Sequence, residues 1–292
     1  MKQYPPVPRA ADAPPGLFDS GHLWIQEKVD GSHFRFRLRE SGMLQFGDRM
    51  RTYDADRLPS PNGRRESGDA DAIPVPYHHA VRHVRERFDR EALRNSVGDV
   101  SSVVFFGVAT HRRAIDYDWD RLPPFLGFDV WNADEKGFLP PDAVEQIYDR
   151  LGLRSVNTLR KEVRAADFDP ESYEVPDSAW YDGPAAGVVV RNKTGQRATI
   201  LHPDFRAEDD AAPVEASADE LARRYTTRQR VENIARELED RGRPVTFDAV
   251  YDRTVETLAR EEHHRLFDGD RSIDVSAFRS AVAARTQELL EN

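Results

Sequence analysis

The stretch Trp24-Ile25-Gln26-Glu27-Lys28-Val29-Asp30-Gly31-Ser32-His33-Phe34-Arg35-Phe36-Arg37-Leu38 decides how the chain is read. An apolar run meets a short polar turn, and a segment alternating polar and apolar side chains follows, the period of a half-buried strand. Strand, tight turn and strand are predicted. Gly31 lets the backbone take a positive φ or approach a ligand closely. Lys28, at a strand end, suits covalent chemistry: its four-carbon stem reaches into a pocket, and desolvation or a nearby cation favours the free amine that attacks. The same residues also fit a plain hairpin with a surface lysine and a solubilising Asp-Gly turn. Composition weighs against that alternative. Lysine occurs only at positions 2, 28, 136, 161 and 193 in an arginine-rich chain, and a guanidinium cannot deprotonate to act as a nucleophile.

A length of 292 residues allows one large or two modest domains. With a net charge of −10 and 32% charged residues, the chain has no apolar run long enough to span a membrane. Residues 1–20 read as an irregular Pro- and Ala-rich leader rather than a targeting signal, so a cytoplasmic setting is expected. The absence of cysteine rules out a disulfide partner, a cysteine zinc site and thiol catalysis. Acidic balance argues against indiscriminate nucleic-acid binding, yet leaves room for a local arginine-lined groove.

Further along, residues 21–53 read as a strand meander, with Arg49 and Arg51 alternating onto one strand face. Residues 57–72 are loop-like, and 77–93 carry a helical period. His78, His79 and His83 lie on that helix, but without H-E-x-x-H or a third ligand they read as solvated or packed rather than metal-binding. Buried strands are expected at 103–108 and 124–131, and a further strand from Gly187 up to a turn at 192–195. A helix is expected from Pro141 to a stop at Gly152, and a short one over 159–166. Past an acidic linker at 208–217, helices are predicted over 218–242, 246–266 and 275–291, with Asp219 and Thr246 at N-termini and Gly242 and Gly269 as stops.

Lys28-Val29-Asp30-Gly31 resembles the K-x-D-G motif of the covalent nucleotidyltransferases: the ATP-dependent DNA and RNA ligases and the capping enzymes. The other motifs of that superfamily have counterparts here in the same order: Arg49 or Arg51, the run Val103–Val108, Phe125-Leu126-Gly127-Phe128-Asp129-Val130, Gly187-Val188-Val189-Val190, and Arg197 with Thr199. No second β-barrel follows, and the helical tail, opening with Thr226-Thr227-Arg228-Gln229-Arg230-Val231-Glu232-Asn233, is similar to the appendage of RNA ligases of the second phage type. The resemblance implies an α+β fold: a two-sheet nucleotidyltransferase (ATP-grasp-like ligase) domain at 21–207, then a small all-helical domain at 218–292. It implies Lys28 as the nucleophile that forms lysyl-AMP. Gln26, Glu27, Asp30, Gly31, Arg49, Arg51, Phe125, Gly187 and Arg197 would be nucleotide-binding positions, Phe125 stacking on the adenine and Asp129 supporting the site. ATP and Mg2+ are the implied cofactors, RNA ends or nicked duplex RNA the implied partners, and RNA repair the implied setting.

Three positions depart from the family's pattern. Val108, Ala186 and Thr199 stand where it usually has two glutamates and a lysine. One lost carboxylate reads the ribose, the other helps hold the metal's hydration shell, and the cation lies on the α-phosphate. Arg197 is the candidate to cover the phosphate in place of the lost cation, and Asp116, Asp118 and Asp129 are the candidates to hold magnesium. The departures keep a second reading open: a catalytically degenerate ligase-fold protein that binds nucleotide or RNA ends without sealing them.

Overall fold

The computed structural model describes residues 1–53, 72–205, 216–267 and 273–291. Nearly all of the 57–72 loop, most of the 208–217 linker and the stop at Gly269 lie outside the described residues. The chain forms two compact units. Among the described residues the first holds 1–53, 80–110 and 114–205, and the second holds 72–79, 111–113, 216–267 and 273–291. The leader therefore belongs to the first unit, and two short segments from within 21–207 belong with the helices.

The first unit is built on two antiparallel sheets. One contains β1 (His22–Glu27), β8 (Thr158–Arg164), β9 (Gly187–Asn192) and β10 (Arg197–Leu201), in the order β10-β9-β1-β8. The other contains β2 (Gly31–Leu38), β3 (Leu44–Gly47), β4 (Thr52–Tyr53), β5 (Val103–Thr110), β6 (Phe125–Asn132) and β7 (Gly137–Phe138), in the order β4-β3-β2-β5-β6-β7. Strands β1 and β2 thus sit in different sheets. The turn at 28–30 is a crossing from one sheet to the other, and the expected 21–53 meander begins only at β2. Phe34, Phe36 and Leu38 alternate onto one face of β2 and are fully buried. Phe36 stacks on Phe105 of β5 with ring centroids 4.9 Å apart.

Two residues hold the crossing in shape. Asp30 accepts hydrogen bonds from the backbone N–H groups of Ala114 and Ile115, both at 3.0 Å, and its own N–H donates to the Tyr117 hydroxyl at 3.0 Å. Gly31 has φ 147°, and a Cβ there would lie 2.2 Å from the Ala109 carbonyl oxygen. Only glycine fits.

Other expectations need correction. Within the segment 159–166, where a short helix is expected, residues up to Arg164 form the edge strand β8, pairing Leu23 with Val163 and Ile25 with Arg160, and a 3-10 turn begins at Ala165. Leu159 and Val163 pack on the core while Arg160, Lys161 and Glu162 face solvent, the charged composition that protects a sheet edge from further pairing. Arg49 and Arg51 lie in a turn between β3 and β4, closed by Asp48, which accepts from the N–H groups of Met50 (2.7 Å) and Arg51 (2.6 Å). The helix expected over 77–93 is two: α1 (His78–Arg87) and α2 (Arg90–Arg94), the second capped by the Asp89 carboxylate. The helix α3 (Pro141–Arg150) forms as expected, and Gly152 follows it with φ 75°.

The helical unit contains α4 (Ala218–Tyr225), α5 (Arg228–Asp240), α6 (Phe247–Glu261), α7 (His263–Leu266) and α8 (Val275–Glu291). The helix expected over 218–242 breaks at Thr226–Thr227, where Thr227 caps α5. Ser217 rather than Asp219 starts α4, through a capping box with Glu220. Thr246 caps α6 as expected. Leu221, Tyr251, Leu258, Phe278 and Val282 form the unit's main core. No helix among the described residues is long and apolar enough to cross a membrane. The predicted α+β class, two sheets followed by a helical region, is the observed one.

Replacing Gly31 by Ala combines a backbone conformation disfavoured for L-residues with a backbone clash. Gly31→Ala is expected to cost roughly 2–4 kcal/mol, measured as a lower midpoint in denaturant unfolding.

Candidate functional site

The two sheets enclose a cavity of about 290 Å³. The β1/β9/β10 sheet lines it with Gln26, Glu27, Val189, Arg191, Arg197 and Thr199, and the crossing adds Lys28 and Val29. His33, Val108 and Phe128 face it from the other sheet, Arg49 from the β3–β4 turn, and Tyr4, Pro5 and Val7 from the leader. Lys28 is half-buried, and its backbone N–H donates to the Gly187 carbonyl at 2.9 Å. That bond fixes the lysine's main chain to β9. A Cβ on Gly187 would lie 2.4 Å from the Ile200 carbonyl oxygen, so close packing of β9 on β10 demands glycine there.

Asp129 is fully buried and joins the two sheets. Its carboxylate takes Arg197 of β10 at 2.6 Å and Arg191 of β9 at 3.1 Å, and accepts from the Tyr4 hydroxyl at 2.9 Å. Arg191 also donates to the Phe128 carbonyl at 2.8 Å, and Arg197 bonds the Tyr4 hydroxyl. Burial, reinforced by the Asp129 carboxylate, pushes the Tyr4 hydroxyl above its ordinary pKa. The Tyr4 ring lies edge-on to Phe128, with centroids 5.0 Å apart, and tilted against His33 at 5.4 Å. Burial, then the positive charges of Arg35 and Arg49, lowers the His33 pKa to about 4. His33 is therefore neutral at pH 7.

Of the residues singled out from sequence, Gln26, Glu27, Lys28, Arg49 and Arg197 line the cavity together, as do the departed positions Val108 and Thr199. Asp30, Gly31 and Gly187 shape its backbone from outside the lining, and Arg51 does not reach it. Ala186 is buried beside Val108, Val156 and Trp180. Phe125 is not brought to the cavity. It lies fully buried on the far face of β6 among Phe34, Phe36 and Tyr148, and Phe128 faces the ligand space instead. Three residues apart on one strand, Phe125 and Phe128 fall on opposite faces by simple alternation; the β-bulge, with Phe106 paired to Asp129 and Gly107 to Gly127, leaves Phe128 as the extra residue and turns Asp129 to the same side. Phe128 and Asp129 thereby project to one side in succession. Sequence reasoning also missed Arg191, His33, Tyr4 and Val7. Arg191 alone had a signal, sharing the strand parity of Val189.

The donor set does not fit a magnesium ion. Glu27 is the one carboxylate on the described cavity wall, 2% exposed, and it already accepts from Ser178 Oγ (2.6 Å), Asn157 Nδ2 (3.2 Å) and the Ala179 N–H (3.2 Å). Asp129 is enclosed by its arginines and Tyr4, and neither Asp116 nor Asp118 lines the cavity. Among the described residues no group of three His, Asp or Glu side chains is arranged to hold a metal, His78, His79 and His83 included. His78 instead bonds the Ile73 carbonyl through Nε2 at 2.9 Å.

Removing the Asp129 charge leaves two buried guanidinium groups without their counter-ion. Asp129→Asn is expected to lose roughly 3–5 kcal/mol in urea unfolding. For His33 the folded pKa of about 4 lies below the ordinary 6.5. The unfolded chain then binds the extra proton as pH falls from 6.5 to 4, so that share of stability is present above 6.5 and is lost across this window. Unfolding free energy measured against pH should show a shallower slope between 6.5 and 4 in His33→Gln than in the wild type.

Comparison with known proteins bears on the family. A family model described as RNA ligase matches residues 21–206, well over half of the chain. Two structures of an archaeal ATP-dependent RNA ligase, forms 1 and 2, are similar at 15% and 16% identity with TM-scores of 0.47 and 0.48; both cover 100% of this chain. A Naegleria gruberi RNA ligase mutant with ATP and Mn is similar at 15% identity and a TM-score of 0.49, over 72% of this chain. This chain spans 66%, 65% and 59% of those proteins' lengths respectively. No curated protein matches it. On the family match, the chain belongs to the RNA ligase family.

Proposed function

We propose that the chain is a ligase-type nucleotidyltransferase that takes AMP from ATP onto Lys28 and uses it to join the 5′-phosphate of one RNA end to the 3′-hydroxyl of another. The observation that carries this reading is the position of Lys28. It stands half-buried at the crossing between the sheets and opens on the same cavity as Arg49, Arg191 and Arg197. In the first step the free amine of Lys28 attacks the α-phosphorus of ATP. A nitrogen–phosphorus bond forms as the amine gives up a proton to solvent, the bond to the bridging oxygen breaks, and pyrophosphate leaves with the electron pair. AMP then passes to the RNA 5′-phosphate, and the 3′-hydroxyl displaces it. Arginine forks suit phosphate oxygens, and Asp129 holds two of them ready in place. Preorganised charge of this kind stabilises a transferring phosphoryl group. Phe128, on the cavity wall, is the aromatic side chain on which the base packs in this reading. In this reading residues 21–207 carry the transfer chemistry, 208–217 link, and 218–292 form a helical appendage. RNA ends, free or at a nick, are the substrate class, and RNA repair the setting.

A second reading has its own support. Val108 lines the cavity and Ala186 lies beside it in one apolar cluster, where the family usually has carboxylates. Loss of such groups can slow a reaction about a hundredfold or more each, which would leave a binder of nucleotide or RNA ends that does not seal them.

Incubation with α-labelled ATP, followed by denaturing electrophoresis and mass spectrometry, separates the two. The ligase reading expects label retained by the wild type, absent from Lys28→Ala, and reduced about tenfold or more in Arg49→Ala, an exposed position. ATP-induced stabilisation with no label would establish the second reading in its place.

A further inference from the structure

Among the described residues, the cavity wall carries Lys28, Arg49, Arg191 and Arg197 against a single carboxylate, Glu27. Glu27 is buried and its oxygens already take three hydrogen bonds. Asp129, behind the two inner arginines, is fully buried and committed to them and to Tyr4. Apolar Val108 and Val29 complete the wall on the side of the crossing. Magnesium requires hard oxygen ligands in a near-octahedral set and is ordinarily held by one or two carboxylates together with substrate phosphates. Here no such carboxylate faces the ligand space among the described residues, and a divalent ion entering beside four cations is repelled. The same four side chains are well suited to phosphate oxygens: a guanidinium gives two parallel hydrogen bonds, an ammonium a compact charge. Two of the arginines are already fixed by Asp129, so little side-chain freedom is lost when they bind.

We propose that this site binds the phosphates of a nucleoside triphosphate through Lys28, Arg49, Arg191 and Arg197 in the role usually given to a divalent cation, so that nucleotide binding is metal-independent. The proposal rests on the nucleotide reading given above and goes beyond it in assigning the counter-charge to the protein.

Isothermal titration of the full chain with ATP, once in EDTA and once in millimolar Mg2+, tests it. Dissociation constants within about threefold of each other are expected, less than the tenfold that 1.4 kcal/mol represents. Arg49→Ala, at an exposed position, should weaken ATP binding in EDTA about tenfold or more, with Mg2+ giving no recovery; an unchanged melting temperature without ATP would show that the variant is folded. Binding that appears only with Mg2+ overturns the proposal and leaves the nucleotide reading standing. An Arg49→Ala affinity equal to wild type in EDTA also overturns it. Absence of ATP binding under both conditions removes the nucleotide site itself, and this proposal with it.

Discussion

One buried carboxylate ties the two sheets of the first unit to each other. Asp129 projects from β6 and meets Arg191 from β9 and Arg197 from β10, with the Tyr4 hydroxyl closing the cluster. Desolvating three charged groups is costly, and the cost is recovered only when the geometry is good and the remaining donors find partners. Here Arg191 gives its second bond to the Phe128 carbonyl and Arg197 bonds Tyr4. An apolar filling of equal volume would hold the sheets together as well or better. What it would not do is hold two guanidinium groups against the wall of a cavity. The cluster keeps two guanidinium groups at the cavity wall.

The leader takes part in the same arrangement. The Lys2 carbonyl accepts from Arg35 of β2, and the Pro8 carbonyl accepts from the Thr199 N–H of β10 at 2.8 Å. Residues 2–8 therefore run from one sheet to the other with Tyr4 between them. Nothing in the sequence Met1-Lys2-Gln3-Tyr4-Pro5-Pro6-Val7-Pro8 shows this, because the segment has no period of its own and gains its shape from the strands it crosses. The strands were far more legible. Val103–Val108, Gly187–Arg191 and Arg197–Leu201 carry runs of β-branched and aromatic residues that only a sheet buries well. The terminal helices show their period, and Thr246 its cap, but the break at Thr226–Thr227 and the cap at Ser217 are not legible in that period. Residues 158–164 do not read as a strand because a charged edge strand with register shifts has neither an apolar run nor a clean alternation. Phe125 and Phe128 lie on opposite faces and both are apolar aromatics, so composition does not tell which face is the cavity's, and the bulge that turns Asp129 to the side of Phe128 leaves no mark in it.

The apolar positions of the site and its charged positions come from different strand parts. Val108 and Ala186 belong to the cluster packed around Trp180 and Val156, whereas the arginines stand on Asp129. The apolar side of the wall is thus continuous with a hydrophobic core, and a carboxylate placed at either position would have to be desolvated there.

The crossing at residues 28–31 also bears on how far a short motif can be trusted. Asp30 is consumed by Ala114, Ile115 and Tyr117, and Gly31 by the backbone of β5. Both are demanded by the passage of the chain between two layers, whatever the cavity contains. A pattern such as Lys-x-Asp-Gly looks like a single chemical signature, but half of its letters are an architectural one. A chain that had given up every trace of reactivity would keep the aspartate and the glycine for as long as it kept its shape.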